Sequence, residues 1–366
     1  MTFWWLLLAV LLIAQVLWAV TSFGLYWWMR PILPGRITAR KWIIGAVLVA
    51  DVCMAVPHLL GLFSQWRWLA ALLLVAFYGC LATIGISMLQ GVLRRRLSVS
   101  RLHRTIRWSL PLLIVSFVAW GVFSAYVPHV VRYQVQLDKP LDKPVRIALI
   151  SDTHFGSLIG HRHIGLLKEI VDHEKPDMLM LAGDIVDDLP DVFQQKNMAR
   201  HLRQIRTPLG QYAVLGNHDN YYGLQTTIVD DMESSGFTVL RDDVVTIDDR
   251  FVLVGRRDRE EVRDTPAELI PSSDLPVIVL DHQPADMGKV AQTDADLMLV
   301  GHTHNGQVFP GTVFVKLFQK YTHGHYRVNG TQLVVTSGYG LWGIPFRMGT
   351  RSEVAMIDIT GREQQD

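Results

Sequence analysis

The feature that most constrains this chain is a series of short polar clusters, each of which follows a strongly apolar run. The clusters are Asp152-Thr153-His154, Gly183-Asp184-Ile185-Val186-Asp187, Gly216-Asn217-His218-Asp219, Asp281-His282 and Gly301-His302-Thr303-His304. Apolar runs such as 147–150, 178–182 and 297–300 are typical of buried strands. Polar residues just past the ends of such strands gather at one rim of a sheet, where α/β proteins place their chemistry. The sequence therefore predicts an α/β domain with a functional site at that rim.

The polar clusters supply imidazole, carboxylate and amide donors, a set that suits Mn, Fe or Zn better than Ca. Both cysteines, Cys53 and Cys80, precede the clusters, so a thiolate site is excluded. Two divalent metal ions about 3.5–4 Å apart can deprotonate a shared water and clamp phosphoryl oxygens. Holding two cations that close requires a bridging anion, for which Asp184 is the candidate. The predicted cofactors are therefore two divalent metal ions.

In their order and spacing, the five clusters resemble the motifs of the calcineurin-like metallophosphoesterase superfamily over residues 145–359. The positions 152, 184, 217, 282 and 302 are separated by 32, 33, 65 and 20 residues. The resemblance implies that Asp152, His154, Asp184 and His304 hold one metal, and that Asp184, Asn217, His282 and His302 hold the other. The segment 337–347 further resembles a bacterial, membrane-linked subgroup that includes cell-wall-associated and lipid-sugar-nucleotide hydrolases.

His218 has a different predicted task, because its place beside Asn217 lets it reach the substrate rather than a metal. An imidazolium there would protonate the leaving group, a contribution of ~10²–10⁴-fold. Asp187 is predicted to accept a hydrogen bond from the His218 ring, and the resemblance assigns the same pair of catalytic residues. Two plainer interpretations stay open: Asp187 as the N-cap of the next helix, and His282 as part of a turn after a strand.

The remaining histidines of this region fill no ligand position. His161, His163, His323 and His325 are predicted to be surface or supporting residues, with a direct substrate role for His323 or His325 left open. The glycines at 338, 340 and 343 are predicted to let the backbone pass closely beneath the metals.

The first 130 residues differ sharply in composition. Residues 3–28 and 68–89 contain no charge, and residues 42–63 and 108–127 are nearly as apolar. About 20 apolar residues suffice to cross a ~30 Å bilayer core, so the sequence predicts an all-α region of four transmembrane helices at about those positions. A cleaved signal peptide is disfavoured for the first segment because it lacks a basic start. The predicted domains are a membrane region at 1–130, a linker at 131–144 and a metallophosphoesterase domain at 145–366.

Basic residues between the predicted spans suggest an orientation. They concentrate in the first and third loops, which the positive-inside rule places in the cytoplasm. The catalytic domain is then expected on the periplasmic or extracellular side of the cytoplasmic membrane. The third loop is interpreted as a topology signal rather than a nucleic-acid patch, and no nucleic-acid partner is expected. Asp51, near the middle of the second span, suggests a hydrogen-bonded interhelical contact or a proton relay.

For the domain at 145–366 we expect a four-layer α/β/β/α sandwich, with helices near 163–173, 191–204 and 225–235. Later strands are predicted at 251–254, 277–280, 333–335 and 354–359. The leading functional hypothesis is a membrane-anchored enzyme that hydrolyses a phosphate mono- or diester, with a lipid-linked phosphate as a candidate substrate and the lipid bilayer as a partner. The alternatives are a cytoplasm-facing lipid-sugar-nucleotide pyrophosphatase and a membrane sensor or transporter with a non-catalytic domain.

Overall fold

The computed structural model describes residues 37–59, 63–93, 99–187 and 189–362, together with residues 15–16, 18–19, 21–24 and 26. The chain divides into two compact units. One comprises residues 1–122 and 343–345, and the other comprises residues 123–342 and 346–366.

The described part of the first unit is helical. Its helices are α1 (Ala39–Leu59), α2 (Phe63–Leu93) and α3 (Val99–Tyr126), the last of which continues into the second unit. The side-chain amide of Gln15 donates a 2.9 Å hydrogen bond to the Asp51 carboxylate. Asp51 therefore takes part in a hydrogen-bonded contact with a segment far away in sequence, as one of the two interpretations of this residue predicts.

The predicted transmembrane region of four helices is wrong. None of the helices in the described part of the chain combines the length and the apolar character needed to cross a membrane, and most of the first predicted span lies outside that part. Basic segments assigned to loops lie within helices: α1 contains Arg40 and Lys41, and α3 contains Arg101, Arg104 and Arg107. Charged residues inside a helix shorten its apolar stretch. The predicted orientation depended on those spans and loses its basis with them.

The second unit is built on two six-stranded sheets. In spatial order the first sheet contains β1 (His129–Gln136), β12 (Glu353–Thr360), β2 (Val145–Ile150), β3 (Met178–Ala182), β4 (Gln211–Val214) and β5 (Thr238–Val239). The second contains β10 (Gly324–Val328), β11 (Thr331–Val335), β9 (Leu297–Val300), β8 (Val277–Leu280), β7 (Phe251–Gly255) and β6 (Asp243–Ile247).

Seven helices of the second unit follow α3 within the described residues. They are α4 (His161–Glu174), α5 (Asp191–Gln195), α6 (Met198–Leu202), α7 (Gln225–Ser234), α8 (Pro266–Leu269), α9 (Met287–Val290) and α10 (Gly311–Phe318). The helices predicted near 163–173 and 225–235 are confirmed as α4 and α7. The helix predicted at 191–204 is instead two short helices, because Asn197 adopts a left-handed backbone with φ of 50° that interrupts the α-helical pattern.

Alternating side chains of the central strands form separate layers of core. Ile147 and Leu149 of β2 pack with Leu280 and Leu299 of the second sheet, whereas Ile150 packs among residues of α4 to α7. A third cluster joins the far face of the second sheet to α8 and α9. Each buried Leu or Ile contributes roughly 1.5–3 kcal/mol. The expected four-layer arrangement of this unit is present, with one sheet-to-sheet core and one core under each set of helices.

Part of the segment predicted as a linker is a strand. β1 pairs in parallel with β12, from His129 beside Glu353 to Gln136 beside Thr360. Val135 and, just beyond the strand, Leu137 are buried in the core between the sheets. Their alternation with polar neighbours is typical of a half-buried strand. The prediction of a linker for residues 131–144 is therefore wrong for the part that forms β1.

The sheet topology brings the polar clusters together. β2, β3 and β4 are parallel neighbours, as are β7, β8 and β9. Asp152 follows β2, Asp184 follows β3 and Asn217 follows β4, while His282 and His302 follow β8 and β9. Since the carboxyl ends of parallel strands meet at one edge, the five loops share one rim.

Candidate metal centre

Several residues of the rim have a left-handed backbone conformation in the loops that follow the strands. Positive φ angles occur at Asp152 (51°), His154 (42°), Asp184 (52°), His302 (71°) and His304 (46°). A left-handed backbone at a residue with a side chain costs roughly 1–3 kcal/mol, and such residues cluster at functional sites. Five of the seven predicted ligands therefore have a conformation that the surrounding structure must enforce.

Two glycines make the close approach of these loops possible. A Cβ atom at Gly216 would lie 2.2 Å from the Asp184 Oδ1 atom, and one at Gly301 would lie 2.5 Å from Asp152 Oδ2. Both distances are far inside van der Waals contact, so any other residue would push the carboxylates out of place. The tail glycines act similarly, since a Cβ at Gly340 would lie 2.1 Å from the Thr153 carbonyl oxygen. This agrees with the prediction of a closely passing backbone there.

The first group of donors consists of Asp152, His154 and His304, whose candidate ligand atoms lie within 4.8 Å of one another. The Nε2 atom of His304 is 3.2 Å from Asp152 Oδ1. All three residues are buried. This is the arrangement needed to surround a small cation.

The second group consists of Asp184, His282 and His302, again with ligand atoms within 4.8 Å. The His282 Nε2 atom is 3.3 Å from Asp184 Oδ2, 3.2 Å from the Asn217 side-chain oxygen and 3.2 Å from His302 Nδ1. Asp184 also faces the first group, because its Oδ2 atom lies 3.9 Å from His154 Nε2. Asp184 thus stands between the two groups, where a bridging ligand is needed.

Buried atoms without hydrogen bonds indicate that the first group is suited to a divalent cation. Asp152 Oδ1 and both ring nitrogens of His154 are buried and form no hydrogen bond within the part of the chain that the structure describes. Buried polar groups rarely lack a partner in native proteins, whereas coordination to a cation would satisfy these atoms. The mixture of nitrogen and oxygen donors without sulfur suits Mn, Fe or Zn.

The charge states of the donors favour cation binding. Burial lowers the pKa of His154 to about 3 and that of His302 to about 4, so both rings are neutral at physiological pH. Burial opposes ionisation of Asp184, but the neighbouring His282 and His154 hold the pKa of this carboxyl below its usual range. Burial also disfavours charge on His282, yet Asp184 and Asp152 raise the pKa of His282. A cation bound to His282 would displace that proton, so binding should strengthen as pH rises.

His218 lies beside the two groups. Its backbone N–H donates a 2.9 Å hydrogen bond to Asp184 Oδ1, and its ring centroid lies 5.2 Å from that of His154 and 5.6 Å from that of Trp342. Asp187 is half-buried in the loop after β3, where its N–H donates to the Phe155 carbonyl. The predicted hydrogen bond between Asp187 and His218 stays a prediction.

A cavity of about 300 Å³ opens above the donors. Its floor includes Asp184, Asn217, His302 and His304, and its walls include His218, Thr303, Gly306, Gln307, Val315 and Trp342. His323 and His325 are not among these lining residues. They bond instead to Glu353 and to Gln332 respectively, which is consistent with the supporting roles that the sequence predicts.

Comparisons with known proteins agree with this geometry. A family model described as calcineurin-like phosphoesterase matches residues 145–306. An uncharacterized metallophosphoesterase of Aquifex aeolicus is 31% identical over 258 residues, which cover 67% of this chain and 96% of that protein. The chain belongs to the calcineurin-like metallophosphoesterase family.

Other family members match a smaller share of their own length. An uncharacterized metallophosphoesterase of Helicobacter pylori strain J99 is 33% identical over 245 residues, 65% of each chain. A zebrafish (Danio rerio) protein named transmembrane protein with metallophosphoesterase domain is 29% identical over 325 residues, 82% of this chain and 74% of that protein. The chain therefore spans just under two thirds of the Helicobacter relative.

One carboxylate beside the donor groups, Asp219, was assigned no role in the sequence analysis. Asp219 is fully buried and accepts hydrogen bonds from the N–H groups of Ile185 (2.9 Å), Val186 (3.2 Å) and Gly216 (2.8 Å). It thereby ties the loop after β3 to the loop after β4. Burial raises the pKa of Asp219 to about 7. The position of Asp219 in the cluster 216–219 indicates a role at the site. The cluster alone does not show whether this carboxylate is a metal ligand or a supporting residue.

A buried arginine supports the opposite side of the centre. Arg347 donates to the carbonyl oxygens of Ser337 (2.8 Å) and Gly340 (2.7 Å), and its Nη2 atom lies 3.3 Å from His304 Nδ1. Burial lowers the pKa of Arg347 to about 10, so it remains a cation. It holds the tail of residues 337–347 under the metal-ligand loops.

A buried ionic network lies behind His282. Arg256 Nη1 is 2.8 Å from Asp281 Oδ2, and Arg263 Nη2 is 2.9 Å from Asp286 Oδ2. Both arginines contact both carboxylates. Since Asp281 directly precedes His282, the network fixes the loop that carries this ligand. The arginines lie 18 to 25 residues before Asp281, and no local pattern connects them to it.

Proposed function

We propose that this protein hydrolyses phosphate mono- or diesters at the centre formed by the two donor groups. The observation that carries the proposal is the position of Asp184 between those groups, beneath a cavity of about 300 Å³. Divalent cations held there would polarise phosphoryl oxygens and lower the pKa of a bound water. Family membership supports the same reaction class.

The contribution of the protein side chains is to hold the ligand atoms in a fixed orientation toward the two cations. Asp152, His154 and His304 would hold one cation, and Asn217, His282 and His302 the other, with Asp184 shared. The Nδ1 atom of His282 lies 2.7 Å from the Ala182 carbonyl oxygen, to which it donates. That bond leaves Nε2 directed toward Asp184. Such bonds to the remote ring nitrogen fix ligand orientation in metal sites.

His218 is proposed as the general acid. It lines the cavity without belonging to either donor group, which places it beside a substrate bound there. Protonation of the leaving oxygen by His218 would lower the barrier for poor leaving groups. Asp187 is proposed to keep the imidazole protonated through the pairing predicted from the sequence.

The walls of the cavity indicate a substrate with an apolar part. Val315 and Trp342 line the cavity together with the donors, and most of the surface of these two side chains is apolar. A volume of about 300 Å³ is at the lower end for ligand sites. It accommodates a phosphate and the first atoms of its alcohol, while a longer chain would extend outside. These features support a lipid-linked phosphate ester as the substrate class.

The proposal is tested with the full-length protein after complete chelation and reloading with Mn²⁺. Hydrolysis of p-nitrophenyl phosphate and bis(p-nitrophenyl) phosphate should disappear on chelation and return with Mn²⁺, while circular dichroism stays unchanged. The ratio of the two rates separates monoesterase from diesterase activity. Undiminished hydrolysis by protein shown to be free of metal would refute the proposal. A series of alkyl phosphates of increasing chain length should show rising kcat/KM if the apolar walls select the substrate.

A further inference from the structure

Helix α10 is apolar, yet it buries none of its side chains. Val313 is 44% exposed, Leu317 70% and Phe318 65%. Helices of globular domains normally turn such residues toward the core. Contiguous exposed apolar residues instead mark interaction sites. The exposed set Val313, Leu317 and Phe318 is called the apolar face of α10 below.

This helix also forms part of the catalytic cavity. Val315 lines the cavity, and it is two positions away from both Val313 and Leu317. Two positions correspond to about 200° around an α-helix, so Val313 and Leu317 point away from the cavity. Phe318 is three positions from Val315, about 60° away around the helix, at its C-terminal end. A surface that binds Leu317 and Phe318 would therefore lie beside the cavity, against the helix that forms part of its wall.

Along the chain, the charged residues on either side of α10 are all basic. Lys316 and Lys320 are exposed, and neither forms an ion pair with a residue that the structure describes. The chain contains no Asp or Glu from position 297 to position 352. An apolar face with exposed lysines beside it complements a surface of acyl chains and anionic headgroups.

We propose that α10 docks on an anionic lipid surface, with Leu317 and Phe318 inserted at the level of the headgroups and Lys316 and Lys320 bound to the phosphates. The docked helix would place the mouth of the cavity beside the ester bonds of membrane lipids. Docking itself depends only on α10, whereas the delivery of substrate rests on the proposed phosphoesterase function.

Charge argues against a second copy of the chain as the occupant. In a two-fold contact the same face meets itself, so Lys316 and Lys320 would approach the equivalent lysines without acidic partners. A lipid surface supplies the missing negative charge. Self-association is nevertheless an outcome that the experiment can detect.

A fluorescent probe attached at α10 reports lipid contact at this helix separately from lipid contact elsewhere in the chain. Cys53 and Cys80 are replaced by Ser in the full-length protein, and Gln319→Cys, at the exposed end of α10, is labelled with an environment-sensitive dye. Vesicles of phosphatidylcholine alone are compared with vesicles that also contain phosphatidylglycerol. A matched control carries the dye at Val262→Cys, an exposed position in a distant loop.

The expected result is a blue shift of the α10 dye with anionic vesicles, weaker in high salt and absent with neutral vesicles. The vesicle concentration for half-maximal shift should rise about tenfold or more in Lys316→Gln/Lys320→Gln and in Leu317→Ser/Phe318→Ser. The control substitution Lys143→Gln/Lys168→Gln should leave it unchanged. An equal response at Val262→Cys, or a shift that depends on protein concentration without lipid, would overturn the proposal.

Activity on a soluble ester distinguishes the two proposals. The α10 variants should hydrolyse p-nitrophenyl esters at the parent rate, because none of the substituted residues lines the cavity. If the dye fails to respond while this metal-dependent hydrolysis is intact, lipid docking is wrong and the phosphoesterase function stands. If the dye responds but no ester is cleaved, docking stands and the proposed function is wrong.

Discussion

The floor and the wall of the cavity differ in how firmly the fold holds them. The floor, comprising the two donor groups, is enclosed, has a left-handed backbone at five positions and is tied by buried hydrogen bonds. The wall, comprising His218, Val315 and Trp342, is more open, and Trp342 is 46% exposed. The difference indicates that the fold fixes the geometry of the donor groups, whereas the wall consists of side chains that can change without unfolding it.

The largest effect is expected for Asp184→Asn, which removes the charge shared by the two donor groups. Hydrolysis should fall by about a thousandfold or more, and the Mn²⁺ content should decrease with it. Kinetics and elemental analysis of the purified variant check both outcomes. Asp230→Asn, at an exposed carboxylate on α7, is the matched control. Full metal content and activity in Asp184→Asn would show that neither cation binding nor hydrolysis requires the Asp184 carboxylate.

A wall substitution should instead separate turnover from cation binding. His218→Ala is expected to keep the metal content yet lose ~10²–10⁴-fold in kcat for esters with poor leaving groups. The loss should be smaller for p-nitrophenyl esters, whose leaving group needs no proton. Asp187→Asn should show the same leaving-group pattern with a smaller loss. Reduced metal content in His218→Ala would place His218 in the floor and contradict the comparison.

A milder change at the wall concerns the apolar part of the substrate. Gln307 holds the backbone of Trp342 at both its N–H (2.9 Å) and its carbonyl oxygen (2.8 Å). Trp342→Ala should lower kcat/KM for long-chain alkyl phosphates by about tenfold, with little change for methyl phosphate and none in metal content. Trp342→Phe should retain most of the preference. Equal losses across the chain-length series would argue against an apolar wall.

The smallest effect comes from a buried histidine outside the floor. Burial lowers the pKa of His163 to about 4, so the folded protein favours its neutral form. The associated stability is present above the unfolded pKa and declines as pH falls toward 4. Between about pH 7 and about pH 5 this group should cost about 2 kcal/mol of unfolding free energy. In His163→Leu this contribution to the fall in the free energy of unfolding between about pH 7 and about pH 5 should be absent. Urea titrations at the two pH values measure the difference, and the metal content should be unchanged.

Much of the fold followed from local patterns. The strands at 178–182, 277–280 and 297–300 are continuous apolar runs between polar residues, and the structure has strands at these bounds. β1 is different, because only every second residue is apolar and the strand begins directly after a long apolar region. The prediction of transmembrane helices in the first 130 residues is wrong for a different reason. The apolar windows are continuous with basic residues that lie inside the same helices, α1 and α3.

The set of donors and their order can be read from the amino-acid sequence, because the donor clusters follow continuous apolar runs and such runs are a local pattern. The groups that support the donors become visible only in the folded chain. Asp219, Arg347 and the Arg256–Asp281 pair act across contacts between distant segments, and no periodic pattern encodes such contacts. The exposure of α10 was equally hidden, since an apolar helix is normally predicted to be buried. Whether an apolar residue faces the core depends on which other elements pack against it, and that is settled only when the whole chain has folded.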